Sequence, residues 1–351
     1  MAVYTTIDDP GLYFNTVLYS GNSSTQAITG VGFQPDAVWA KTKSTTYNHQ
    51  LCDSVRGVHE MIRPNTSDAE GTYTDALTSF DSDGFTTGSE GNWNETGQTY
   101  VAWNWKAGTT AVPSGGTITP TACSFSATAG FGIYAYAGNS TAGATIAHGL
   151  GAVPAFIICK RLNSTGNWST YQHKNTAAPE TEYLLLNTTA ATADDLVWND
   201  TAPTSSVYSL GNDGSVNTGF NYVSYVWTGI QGFSKFGAYE GNGNADGTFV
   251  YTGFRPAWIM NKRTNSTAAW KVHNNKVPLT NGNVCNLGLS ANTNAAESAV
   301  DGPDRQLDFL SNGFKWRATD TDVNYNGSDY IYCAFAESPL VNSEGVPSNS
   351  R

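Results

Sequence analysis

Three stretches of the chain carry one pattern: Gly32-Phe33-Gln34-Pro35-Asp36-Ala37-Val38-Trp39-Ala40-Lys41, Gly151-Ala152-Val153-Pro154-Ala155-Phe156-Ile157-Ile158-Cys159-Lys160 and Gly253-Phe254-Arg255-Pro256-Ala257-Trp258-Ile259-Met260-Asn261-Lys262. In each, a proline stands six residues before a lysine, with an apolar run between them. Proline fixes φ and donates no hydrogen bond, so it suits the first residues of a strand, and the apolar run suits a strand buried in a β-sandwich. The lysine is expected to mark the return to solvent. The recurrence implies three versions of one β-rich module.

Other landmarks keep step. Aromatic strands are predicted at Phe14–Tyr19, Phe131–Tyr136 and Phe233–Tyr239, followed by Gly21-Asn22, Gly138-Asn139 and Gly241-Asn242. Trp168 and Trp270 follow the second and third lysines, whereas the first copy has His49-Gln50-Leu51-Cys52-Asp53 near that place, a looser match. Each module closes on a strand, Tyr100–Trp105, Tyr222–Trp227 and Tyr330–Phe335, whose alternation is that of one packed face. These closing strands are expected to be central in their sheets.

A chain of 351 residues has room for three sandwich domains of ~100 residues each. The expected fold is all-β: three tandem antiparallel sandwiches, jelly-roll or concanavalin-like. The division is an arm at 1–10, sandwiches at 11–108, 117–230 and 231–337, a linker at 109–116 and a tail at 338–351 that stays disordered unless a partner orders it. The modules either pack about a pseudo-threefold axis or string out as a fibre, and the short joint at 228–232 favours packing.

Charged residues make up only 13% and aromatics 12%, which suits Tyr/Trp-rich strands with polar loops. A net charge of −11 without any Lys/Arg cluster excludes nucleic acid as a partner, because phosphate binding needs a basic face. Cys52, Cys123, Cys159, Cys285 and Cys333 stand singly and are expected to be reduced and buried in strands. Met1–Thr6 lacks the basic and apolar regions of a signal peptide, and no window reaches the ~18–20 apolar residues of a membrane span, so cytoplasmic synthesis without membrane insertion is expected.

Catalytic chemistry is hard to place, and neither a catalytic residue nor a cofactor nor a metal is expected. The close acidic pairs, Asp81/Asp83 and Asp194/Asp195, lie in turn-like surroundings. The five histidines lie far apart, and no nucleophile, zinc or phosphate motif occurs. Asn242–Gly247 resembles half a calcium loop but reads as a hairpin turn. The candidates that remain are Trp93, Trp168, Trp198 and Trp270, which lie outside the closing strands. They either stack on the C–H faces of glycan rings or pack in the core and between modules.

Together, Gly32–Asp36, Leu51–Gly57, Leu77–Phe85, Tyr100–Gly108 and the ending Phe335–Ser343 resemble a module abundant in virion proteins of marine tailed bacteriophages. The second module departs most, lacking the Asp-Ser-Val-Arg-Gly phrase. The resemblance implies a non-enzymatic structural protein of the virion surface, a tail fibre or appendage contacting host surface glycans weakly per site and strongly through multiplicity. It implies other virion proteins as partners and a homo-oligomer in the particle. A capsid decoration or head-fibre protein is the alternative, and a glycan depolymerase a third reading.

Overall fold

The structure is a computed structural model, and it describes residues 4–277, 284–297 and 306–348. The first third of the chain forms β1 (Phe14–Ser20), β2 (Gln26–Thr29), β3 (Ala37–Thr42), β4 (Gln50–Asp53), β5 (Gly57–Ile62), β6 (Gly71–Thr72), β7 (Leu77–Asp81), β8 (Gly84–Thr87) and β9 (Thr99–Trp105). The middle third forms β10 (Ala122–Ser126), β11 (Phe131–Ala137), β12 (Ala144–Ala147), β13 (Phe156–Arg161), β14 (Trp168–Gln172), β15 (Glu182–Leu185), β16 (Ala193–Asp194), β17 (Val207–Leu210) and β18 (Asn221–Trp227). The last third forms β19 (Ser234–Glu240), β20 (Phe249–Tyr251), β21 (Phe254–Arg263), β22 (Lys271–Asn274), β23 (Val284–Cys285), β24 (Leu289–Ser290), β25 (Leu307–Leu310), β26 (Gly313–Trp316) and β27 (Asp329–Pro339).

The strands build antiparallel sheets that fall into three pairs, one large and one small sheet per third. The large sheets share an order: β1-β9-β3-β4, β11-β18-β13-β14 and β19-β27-β21-β22. Each closing strand is thus flanked on both sides. The small sheets share the pairings β2 with β8, β12 with β17 and β20 with β26. Pro35 and Pro154 stand just before their strands, while Pro256 lies inside β21 at a bulge, where its missing N–H leaves no ladder bond unmade.

The expectation of one packed face is corrected. Along β9, Val101, Trp103 and Trp105 enter a central cluster, while Ala102 enters a separate cluster with Ile28 and Phe85 of the small sheet. The alternation therefore separates two buried faces, and all six residues of β3 are buried. The central cluster takes Trp39, Trp103 and Trp105 from the first third, Phe156, Tyr225 and Trp227 from the second, and Trp258, Met260 and Phe335 from the third. Three large sheets thus bury their inner faces against one another, and at ~25 cal/mol per Å² of apolar area this shared core is what holds the thirds together.

The turn after each first strand is locked by a buried asparagine. Asn94 Oδ1 accepts from Asn22 N at 2.8 Å, Asn217 Oδ1 from Asn139 N at 2.8 Å and Asn324 Oδ1 from Asn242 N at 3.0 Å. The glycine beside each turn has no room for a side chain: a Cβ on Gly138 would lie 2.0 Å from the Thr218 carbonyl oxygen. Asn242–Gly247 is part of this turn network, with Asn242 Nδ2 on Asp246 O at 3.2 Å.

The chain ends differ from expectation. Ser338 and Pro339 belong to β27, paired with Arg255 and Phe254, so the strand runs past the expected boundary. Residues 340–348 fold back, with Ser348 N on Leu340 O at 3.0 Å, and Ser343 N donates to Asp8 Oδ1 at 2.6 Å. Residues 340–348 are thus held by the chain's own arm and fold, and 349–351 lie outside the described residues. Ile7 of that arm enters the central cluster, and Thr5 Oγ1 donates to Gln231 O at 2.8 Å. Thr109, at the start of the expected linker, pairs with Phe125. All five cysteines are free, buried and in strands.

Candidate functional site

The motif lysines do not return to solvent. Lys41, Lys160 and Lys262 are fully buried, and burial pulls each pKa down to about 8. The reason is that a loop from another third closes over each. The residue two past each lysine accepts a backbone bond from that loop: Leu162 O from Glu70 N at 2.8 Å, Thr264 O from Thr192 N at 2.9 Å and Lys43 O from Glu297 N at 2.7 Å. The ammonium groups are held by carbonyl oxygens, Lys160 Nζ on Gly166 O at 2.9 Å and on Ser67 O at 3.3 Å, Lys262 Nζ on Thr189 O at 3.4 Å. Lys43 and Glu297 form an ion pair at 3.1 Å that closes the last third onto the first.

The four candidate tryptophans are corrected in the same way. Trp93, Trp168 and Trp270 are 0% exposed and Trp198 is 1% exposed, so none presents a face to a sugar ring. Trp93 packs against Phe85, and Trp198 against Tyr171. Trp168 and Trp270 are latches between thirds. Trp168 Nε1 donates to Thr66 O at 3.0 Å and to Arg63 O at 3.2 Å, and Trp270 Nε1 donates to Leu185 O at 3.0 Å. Register places His49 at the corresponding position of the first third, just before Gln50, the partner of Ala40, as Trp168 stands just before Ser169, the partner of Cys159. His49 Nδ1 accepts from Trp39 Nε1 at 2.9 Å, which leaves Nε2 to donate to Ser290 O at 3.1 Å. The three latches run in a circle, each third gripping the one before it and the first gripping the last.

Burial, with the Lys41 charge nearby, pushes the His49 pKa from 6.5 down to about 3, and burial lowers His148 and His173 as well. A neutral buried histidine contributes stability that is complete above pH 6.5 and is lost as the pH falls from there toward 3, because only the unfolded chain takes up the proton. Each such proton is worth about 1.4 kcal/mol per pH unit. Urea midpoints measured from pH 7.5 to 4 are expected to fall less steeply in His49→Gln, which keeps a donor for Ser290 but does not titrate. Identical slopes would show that His49 is protonated in the fold.

Asp81, Asp83 and Asp195 serve turns, while Asp194 lies in β16 opposite Glu182. Asp81 accepts from Ser79 Oγ and Thr86 Oγ1, both at 2.7 Å, and Asp83 accepts from Gly32 N at 2.6 Å and Gly30 N at 3.1 Å. Those amide bonds hold the Asp83 carboxyl below its ordinary range. Asp195 Oδ1 caps a 3₁₀ turn at Leu196 N. Among the described residues no group of three or more His, Cys, Asp or Glu could hold a metal.

Among the described residues, polar clefts open at the surface. One of about 570 Å³ lies between the first and second thirds, but the Asp36 carboxylate in it is already bonded to Ser54 Oγ, Ser124 Oγ and Ala107 N. One of about 680 Å³, walled by Lys174, Glu182, Thr264 and Asp329, lies between the second and third. Another, of about 330 Å³, lies within the second third and is lined by Arg161, Asn167, Ser169, Asp195, Asp213 and Ser215, with Tyr183 beside them. Ser169 Oγ donates to Ser215 Oγ at 2.7 Å, and Ser215 N donates to Asp213 Oδ1 at 2.7 Å. The Ser215 hydroxyl also donates to Asp213 Oδ1, so both bonds that Asp213 accepts fall on that oxygen, and Arg161 Nε is buried without a partner among the described residues. Sequence reasoning missed this cleft, although two of its residues, Asn167 and Ser169, flank Trp168.

Comparison with known proteins gives no match among curated proteins and none among solved structures. One family does match, described as a domain of unknown function, DUF7483, over residues 9–339, from the N-terminal arm to the last residue of β27. Three sheet pairs tied in a circle are therefore covered by a single family unit, and the chain belongs to the DUF7483 family.

Proposed function

We propose that the chain is a non-enzymatic structural protein of a tailed-phage virion surface, a tail-fibre or appendage component built from three copies of one sandwich module, which contacts host surface glycans. The observation that supports this reading best is the closed circle of latches around one aromatic core. Such a body is stiff, suits a particle surface and presents polar clefts outward. Non-enzymatic action fits the close pair Asp81 and Asp83, whose carboxylates are engaged in turns. The phage assignment rests on the sequence phrases quoted above.

The alternative, a capsid decoration protein whose tail latches onto neighbouring subunits, is less favoured because residues 338–348 pack on their own chain. Gold-labelled antibody against the chain, applied to purified virions of a phage that encodes it, is expected to mark the tail. Label over the head would replace the appendage with a decoration protein. A chain missing from the particle by labelling and by mass spectrometry would overturn the virion reading.

A further inference from the structure

The three thirds provide an internal control for the 330 Å³ cleft, because corresponding positions can be compared within one chain. Ser169 faces the residue before Lys160, as Lys271 faces the residue before Lys262 and Gln50 the residue before Lys41. Ser215 stands two residues before the turn-locking Asn217, as Asp322 does before Asn324 and Asn92 before Asn94. In the last third these two positions form an ion pair, Lys271 Nζ to Asp322 Oδ2 at 3.4 Å, with side chains only 10% and 13% exposed. In the first third they hold a buried glutamine and an asparagine bonded to Glu90. Only the second third has two serines there. Replacing a long ion pair by two hydroxyls on an otherwise matching backbone removes side-chain volume and leaves space.

From this contrast we infer that the second third carries a saccharide-binding cleft, built on Ser169, Ser215, Asp213 and Arg161, that takes one or two neutral sugar rings. The inference deepens the glycan-contact reading and rests on it. Sugar hydroxyls both donate and accept, and the walls offer both: Asp213 Oδ2 and the two serine oxygens, whose protons run Ser169 to Ser215 to Asp213 Oδ1, accept, and the unpartnered Arg161 Nε donates. Leu185, Val197 and the Tyr183 ring supply the apolar wall that sugar C–H faces require. Asp195 and Asp213 outnumber Arg161, which disfavours an anionic ligand, as does the net charge of −11. A volume of about 330 Å³ lies at the small end of ligand clefts.

The test is a printed array of neutral oligosaccharides ending in glucose, galactose, mannose, fucose or N-acetylglucosamine, with sulfated glycans alongside, probed with the full chain. Binding to at least one neutral terminus is expected. Transplanting the last third's pair, Ser169→Lys with Ser215→Asp, should fill the cleft, weaken that binding at least tenfold and leave the melting temperature within a few degrees. Should the double variant misfold, Asp213→Asn, which keeps the Oδ1 acceptor and turns Oδ2 into a donor, should weaken binding at least tenfold on its own. An empty array, binding confined to sulfated glycans, or neutral binding unchanged in the folded variants would each overturn the cleft. None of these results bears on where the chain sits in the particle, which the gold label reads independently.

Discussion

Asp53→Ala is expected to destabilise the fold by about 3–5 kcal/mol, the usual penalty for leaving a buried charge without its partner. Asp53 is 0% exposed at its side chain and takes Arg56 Nε at 2.6 Å, with the Arg56 side chain only 3% exposed. Its Oδ2 also accepts from Tyr225 Oη at 2.6 Å, and its Oδ1 from Arg56 N at 2.9 Å and Val55 N at 3.1 Å. Tyr225 comes from β18 of the next third, so the cluster joins two thirds as well as closing the turn after β4. Without Asp53, Arg56 keeps Glu70 at 2.7 Å, a partner whose side chain is 21% exposed. Denaturant unfolding measures the loss, and adding Arg56→Met should restore part of it by removing the orphaned charge. A loss below about 1 kcal/mol would mean that the pair behaves as a solvated surface bridge.

Trp105→Ala is expected to have a comparable effect, about 3–5 kcal/mol, through the cavity it leaves. Its ring lies 5.1 Å from Phe14, 6.1 Å from Trp227, 6.0 Å from Trp258 and 5.8 Å from Phe335, centroid to centroid, and so touches aromatics of all three thirds. The distribution of the damage is the more telling readout. Amide exchange should accelerate in β13 and β21 as well as in β3, because the lost contacts belong to one shared core. Acceleration confined to residues 14–105 would mean that the thirds fold as separate bodies.

The elements that could be read from the sequence are those set by local chemistry. The proline-to-lysine stretches and the aromatic closing strands announced themselves by spacing and alternation, because a buried strand needs apolar residues at each position that meets a core. What could not be read depends on what arrives from elsewhere in the chain. Lys41, Lys160 and Lys262 look like ordinary strand ends until the loops at Glu70, Thr192 and Glu297 are seen to close over them. The match of His49 to Trp168 and Trp270 looked loose because imidazole and indole share little volume. They share a ring N–H, and that donor is what the latch uses. Asn94, Asn217 and Asn324 left a faint signal, an asparagine a few residues before the first tyrosine of each closing strand. The cleft left none of the usual kind, since two serines make no motif and only their departure from the other two copies marks the place.

The buried cysteines give the fold a set of internal reporters. Each apolar cluster holds at least one thiol: Cys52 beneath the first small sheet, Cys123 and Cys159 beneath the second, Cys285 beneath the third and Cys333 in the shared core. Burial pushes Cys52, Cys159 and Cys285 up to about 12 and raises Cys333, so these four hold almost no thiolate at neutral pH and their alkylation must wait for opening, whereas Cys123 lines the cleft between the first and second thirds. The order in which the other four sulfurs react under mild denaturant is therefore a map of which part of the circle loosens first.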